Sequence, residues 1–116
     1  METQEKLDYI KAQDPEGSER LKRLLERRSF LLDRNVYGER FTERQFELVF
    51  NPLLRSAYER AQILELLSQK DDTVASLASQ LSMDKARVFE YVKDLLKKNK
   101  VEIAGFDERH PVFRKR

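Results

Sequence analysis

The residues of this 116-residue chain that could do chemistry are mostly cations. Its 23 lysines and arginines face 21 aspartates and glutamates, so the formal net charge is only +2, but the balance is uneven along the chain. Residues 20–40 hold seven bases against three acids, and residues 73–116 hold ten against six. Local density of positive charge governs attraction to a polyanion more than the total does, so either segment could face one. A mixed-charge, solvated helix face is the plain alternative for each. Covalent chemistry finds little support. The chain has no cysteine, which removes disulfides, thiolate metal sites and thiol nucleophiles together. His110 is the one histidine, with no cysteine or clustered carboxylates beside it, so no metal site is expected. Asp71-Asp72 reads as a dipole-favoured helix cap, and Asp107-Glu108 as a solvated turn. No Gly-x-Ser-x-Gly elbow or glycine-rich phosphate loop occurs, and no nucleophile has a recognisable base and orienter. These residues point to a binding protein without cofactor, not to an enzyme.

Composition agrees. Hydrophobic residues make up 40% and charged residues 38%, enough for one modest core and a highly charged surface. The length suits one ordinary domain with a helical extension. No run approaches the roughly 18 apolar residues of a membrane span, and the acidic start, Glu2 to Glu5, does not resemble a signal peptide. A cytoplasmic protein with no membrane partner is the expectation.

The elements that must position the cations are mainly helical, because only three glycines and three prolines punctuate the chain. Glu2 to Gln13 reads as a short helix holding Leu7 and Ile10. Asp14-Pro15-Glu16-Gly17 reads as a turn, and Ser18 as the N-cap of a helix to about Asp33 with Leu21, Leu24, Leu25, Leu31 and Leu32 as its stripe. Asn35 to Arg40, with Gly38, breaks the pattern. Thr42-Glu43-Arg44-Gln45 has capping-box spacing and opens a short helix through Phe46, Val49 and Phe50 that ends before Pro52. Ser56-Ala57-Tyr58-Glu59 is a second capping box, opening a helix to about Ser68 that buries Ala61, Leu64 and Leu67.

Beyond the polar break at Lys70-Asp71-Asp72 the signals are denser. Thr73 can cap a short helix, Val74 to Gln80, and Leu81 to Asp84 is a tight turn in which Ser82 or Asp84 caps the next helix. That helix runs from about Lys85 to Lys98 with Val88, Tyr91, Val92 and Leu95 inward, and Asn99 suits the left-handed position that ends it. Val101 to Ala104 alternates as a strand, Gly105 to Arg109 is a turn, and His110 to Arg114 returns as a strand that Pro111 confines to a sheet edge. Two helices joined by such a turn form a helix-turn-helix unit. The fold class is therefore mainly α with a small β-hairpin: a winged helix-turn-helix over residues 55–116, preceded by an N-terminal helical extension over residues 1–54.

The run Thr73-Val-Ala-Ser-Leu-Ala-Ser-Gln-Leu-Ser82, followed by Val88, Val92, Leu95 and Asn99-Lys-Val101-Glu102, resembles winged helix-turn-helix regulators of the MarR and ArsR type. The resemblance covers residues 55–115 and rests mostly on core and turn positions. It implies that the helix beginning near Asp84 lies in the major groove of double-stranded DNA while the hairpin reaches phosphate. Carried over, Lys85, Arg87, Phe89, Lys93 and Lys97 would face DNA, with Arg87 or Lys85 at base edges, and Arg109, Arg114 and Lys115 would meet phosphates. Met83, Glu90 and Arg116 fall on the same surfaces. Where such regulators often carry Ser or Thr beside the position of Val88, this chain has Arg87 and Phe89, then Glu90. Phe89 can touch a thymine methyl, and it equally suits a protein groove. With no cysteine, the metal-sensing members are poor templates. The resemblance thus implies a small DNA-binding transcriptional regulator, and the alternative is a winged-helix adaptor that docks a protein through Phe89 or the N-terminal helices. Regulators of this kind are dimeric, and some of Leu21, Leu24, Leu25, Phe30, Leu31, Phe46 and Phe50 are expected to form a homodimer interface.

Overall fold

The computed structural model describes residues 2–28, 32 and 42–116. Phe30, Leu31, Asp33 and the expected break from Asn35 to Arg40 lie outside the described residues. Five helices and three strands are described: α1 (Thr3–Gln13), α2 (Pro15–Glu26), α3 (Glu43–Gln69), β1 (Asp72–Thr73), α4 (Val74–Leu81), α5 (Lys85–Lys97), β2 (Val101–Asp107) and β3 (His110–Lys115). The protein is thus mainly helical with a small antiparallel sheet. Two compact units divide the chain, residues 1–59 and 60–116, and α3 contributes to both.

In the first unit the joint between α1 and α2 is set by Asp14. Its carboxylate accepts the Gly17 N–H at 3.2 Å and its own N–H donates to the Ile10 carbonyl at 2.6 Å, closing one helix and opening the next. Pro15 then occupies the first helical position, where a missing N–H costs nothing. Ser18 is therefore not the N-cap expected of it. It lies one turn inside α2, buried, and its hydroxyl donates to the Leu7 carbonyl at 3.2 Å. The Asp-Pro pair takes the cap because it supplies both an acceptor and a preset φ. A Cβ at Gly17 would stand 2.5 Å from the Asp14 Oδ2, so a larger residue there would have to displace the capping carboxylate. Leu7, Ile10 and Leu21 are buried behind the joint.

The Thr42 capping box forms with both arms. Thr42 N–H donates to Gln45 Oε1 at 2.8 Å, and Gln45 N–H donates to Thr42 Oγ1 at 3.1 Å. The helix it opens does not stop at Pro52, however, and Ser56 opens no second one: α3 runs unbroken through both. The physical reason is visible in the spacing. Buried Phe46, Phe50, Leu54, Ala57, Ala61 and Leu64 recur at three- and four-residue steps on both sides of the proline, while Pro52 itself is exposed. Burial of that stripe holds the helix together, and the Leu48 carbonyl that loses its donor lies on an exposed residue where water can reach it.

The second unit is built on one apolar cluster. Ile63, Leu64 and Leu67 of α3, Leu77 and Ala78 of α4, Val88, Tyr91, Val92 and Leu95 of α5, Val101 of β2 and Phe113 of β3 form it. Thr73 caps α4 as expected, its hydroxyl accepting the Ser76 N–H at 3.2 Å. Ser82 does not cap α5. It ends α4 in the left-handed region at φ 54°, where Met83 N–H reaches back to the Ala78 carbonyl at 2.9 Å. Asp84 holds the N-cap position of α5 without a side-chain cap bond. Asn99 ends α5 at φ 58° with the same closure, Lys100 N–H donating to the Leu95 carbonyl at 2.9 Å.

The sheet order is β1-β3-β2, all antiparallel. Two expectations change here. The hairpin turn is only Glu108-Arg109, because β2 continues through Gly105 to Asp107, with Glu108 at φ 57°. In addition, β3 is the middle strand and not an edge, since Asp72 and Thr73 pair with Phe113 and Val112. Pro111 is tolerated because β1 is too short to reach it, so at that residue β3 has a partner, Phe106, on one side only. An irregularity between Ile103 and Gly105 inserts one extra residue in β2. A strict alternation would put Phe106 on the face opposite Ile103; the bulge returns it to the same face.

Candidate functional site

The cations expected to act together do not share one surface. Lys85, Phe89, Lys93 and Lys97 recur every four residues along α5, so they share one gradually turning face of that helix. All four are exposed, whereas Val88, Tyr91, Val92 and Leu95 on the other side are buried. Lys85 and Lys97 form no ion pair among the described residues. Lys93 Nζ pairs with Glu90 at 3.3 Å and lies 5.6 Å from the centre of the Phe89 ring.

Arg87 is placed differently. Its Nε donates to the Tyr91 hydroxyl at 3.4 Å, and it is half-buried at the edge of the core. Arg60 packs its guanidinium 5.7 Å from the Tyr91 ring centre and sits 3.8 Å from Asp94. Tyr91 thus carries one arginine at its hydroxyl and another on its ring.

On the hairpin, Arg109 is exposed in the two-residue turn. Arg114 and Lys115 are adjacent in a strand and so point to opposite faces of the sheet. Arg114 lies opposite Glu102, 3.7 Å from its Oε1, and 3.4 Å from Asp71 Oδ2. Arg116 completes this outer network against Glu102 and Asn99. Lys115 is opposite Val101, on the face that carries Phe113. The sequence placed these residues on the hairpin, but their acidic neighbours come from Asp71 and Glu102, which only the β1-β3-β2 pairing brings close.

One feature escaped sequence reasoning. Phe89, 49% exposed, forms a wall of an apolar cleft of about 200 Å³ with Thr73, Val74, Ala75, His110, Pro111 and Phe113. The cleft falls below the roughly 300 Å³ at which small-molecule pockets begin, and suits a single large side chain. It also brings the turn end of the hairpin, His110 and Pro111, to the Phe89 side of α5, and Arg109 is the turn residue next to His110. The signal was the β1 strand: Asp72 and Thr73 are polar and too few to read as a strand, yet their pairing with β3 closes one side of the cleft.

Asp72 is not the cap of α4, a place that Thr73 holds. Its carboxylate accepts from the Ser76 hydroxyl at 2.8 Å and from the Gln80 amide at 2.7 Å. Among the described residues no three histidine, aspartate or glutamate side chains converge as metal ligands, and no helix is long and apolar enough to cross a membrane. Comparison of the chain with family models, with curated proteins and with solved structures finds no match.

Proposed function

We propose that residues 60–116 are a winged helix-turn-helix module that binds duplex DNA mainly through its phosphates, in the manner of a small transcriptional regulator. The observation that carries this reading is the stripe of Lys85, Lys93 and Lys97 on the exposed face of α5, the second helix of a tight helix-turn-helix, with Arg109 on the hairpin beside it. Lysine is a compact, rotatable charge that neutralises phosphate and lacks the planar fork with which arginine pairs a base edge. Arg87, the side chain best suited to bidentate base contact, donates to Tyr91, and Arg114 pairs with Asp71 and Glu102 as Lys93 pairs with Glu90, so Lys85 and Lys97 are the members of the stripe with no ion pair among the described residues. Affinity on this account is electrostatic and only weakly dependent on sequence. Lys85→Glu with Lys93→Glu, titrated against a labelled duplex by fluorescence anisotropy, is expected to lower affinity at least about tenfold; unchanged affinity would overturn the reading.

A second reading, a winged-helix adaptor that docks a protein side chain, is favoured by the Phe89 cleft. Phe89→Ala separates the two. Duplex affinity stays within about twofold if the lysines carry binding, because one lost aromatic removes no counterion release. An adaptor would lose its protein partner with that substitution and show no salt-dependent duplex binding.

A further inference from the structure

Two phenylalanines of the second unit stand in solvent, Phe106 on β2 at 66% exposure and Phe89 on α5 at 49%. They border one surface. Phe106 is the cross-strand partner of Pro111, and the half-exposed Ile103 is the partner of Phe113, so these four side chains share a face of the sheet. Pro111 and Phe113 also line the cleft that Phe89 walls. The bulge between Ile103 and Gly105 makes this possible, since a regular strand would turn Phe106 to the far side of the sheet. Single exposed apolar residues need no explanation, but aromatic ones gathered about a cleft mark a binding surface.

Cations stand around that surface. Lys93 Nζ lies 5.6 Å from the centre of the Phe89 ring, Lys85 is one turn before Phe89 on the same exposed side of α5, and Arg109 is next to His110 in the hairpin turn. Lys85 and Arg109 form no ion pair among the described residues. Of the acids adjacent in sequence, Glu90 pairs with Lys93 at 3.3 Å, Asp107 follows Phe106 in the strand and so points to the other face, and Glu108 lies in the turn. We propose that this surface takes unpaired nucleobases, stacked on Phe89 and Phe106, with the phosphates that link them on Lys85, Lys93 and Arg109. The inference rests on the reading of residues 60–116 as a DNA-binding module and adds the kind of DNA that the module prefers. Rings and charges select the occupant together. A blunt duplex keeps its bases stacked inside and uses the cations alone, while an apolar protein side chain would use the rings and leave the cations idle. A nucleotide without a pairing partner offers a flat apolar face and a negative charge in one residue, and aromatic side chains beside a cationic track are how proteins hold such nucleotides. Pulling a base out of an intact duplex is costly, so the site acts where bases are already unpaired, at overhangs, gaps and mismatches.

Fluorescence anisotropy of the full chain with three labelled duplexes of equal paired length tests this. One is blunt, one carries an overhang of about four thymidines, and one carries an overhang of as many abasic sites, which supply the phosphates without the bases. The thymidine overhang is expected to bind at least about tenfold tighter than the abasic one. The double variant Phe89→Ala, Phe106→Ala is expected to erase that difference and to keep blunt-duplex affinity within about twofold, because it removes no charge. Equal binding of the thymidine and abasic overhangs by the wild-type chain would overturn the inference and leave the blunt-duplex reading standing. So would a thymidine preference that the double variant retains. A chain that binds none of the three, as an adaptor for a protein side chain would, overturns the inference together with the reading beneath it.

Discussion

The first half of α3 and the whole of α5 each bury one side and show the other to solvent, yet the exposed sides carry opposite chemistry. On α5 the outward positions at four-residue steps are Lys85, Phe89, Lys93 and Lys97; on α3 they include Leu48 with Pro52 and Val49 with Leu53, beside a charged row of Glu47, Asn51 and Arg55. A lysine face gains from a polyanion because bound counterions are released. An aliphatic face gains nothing from a polyanion and gains by leaving water, at about 25 cal/mol per Å² of apolar surface. The exposed sides of the two helices thus differ in the chemistry they show to solvent, and the buried sides hold them in place.

The comparison breaks first if the buried sides are not what support the faces. Leu95→Ala on α5 and Phe50→Ala on α3 should each cost about 2–5 kcal/mol in urea unfolding, since both delete fully packed side chains. A cost below 1 kcal/mol on either helix would mean that its face is held by something else. The next effect has the opposite sign. Pro52 sits inside α3 on the exposed side, so Pro52→Ala should stabilise the chain by up to about 3 kcal/mol. The same substitution should leave α5 and its duplex affinity alone. Smaller still is Gly17→Ala: its Cβ would displace the capping Asp14 carboxylate, at about 1 kcal/mol, while alanine inside α2 regains about 0.5–1 kcal/mol, so urea unfolding should shift by less than about 1 kcal/mol. Asn99→Gly closes the series. Relief of the left-handed backbone and the greater entropy of unfolded glycine oppose each other, so thermal denaturation should show a shift worth less than about 1 kcal/mol.

What the sequence made legible follows from how local each determinant is. The Thr42 and Thr73 caps, the left-handed Asn99 and the inward set Val88, Tyr91, Val92 and Leu95 depend on neighbours within one or two turns, and all are found. Ser18 has the look of a cap that Asp14 in fact supplies, because a buried serine bonded to a carbonyl eleven residues away leaves no local mark. Pro52 misled for the converse reason: its local preference is strong, but the stripe from Phe46 to Leu64 outweighs it. The candidate site divides the same way. That Lys85, Phe89, Lys93 and Lys97 share a face is helical arithmetic. That Arg114 is neutralised by Asp71, 43 residues away, and that Phe89 borders a cleft, depend on β1, a two-residue strand with no signature of its own.

The salt dependence of duplex binding tests the central claim most directly. Three lysines on α5 and Arg109 on the hairpin amount to about four phosphate contacts, so log K against log salt concentration should fall with a slope of about −3 to −4. Lys85→Gln with Lys93→Gln should bring that slope to about −2 while circular dichroism stays unchanged. A flat salt profile, or a slope that the two glutamines leave as it was, would contradict the assignment of α5 as the face that meets DNA.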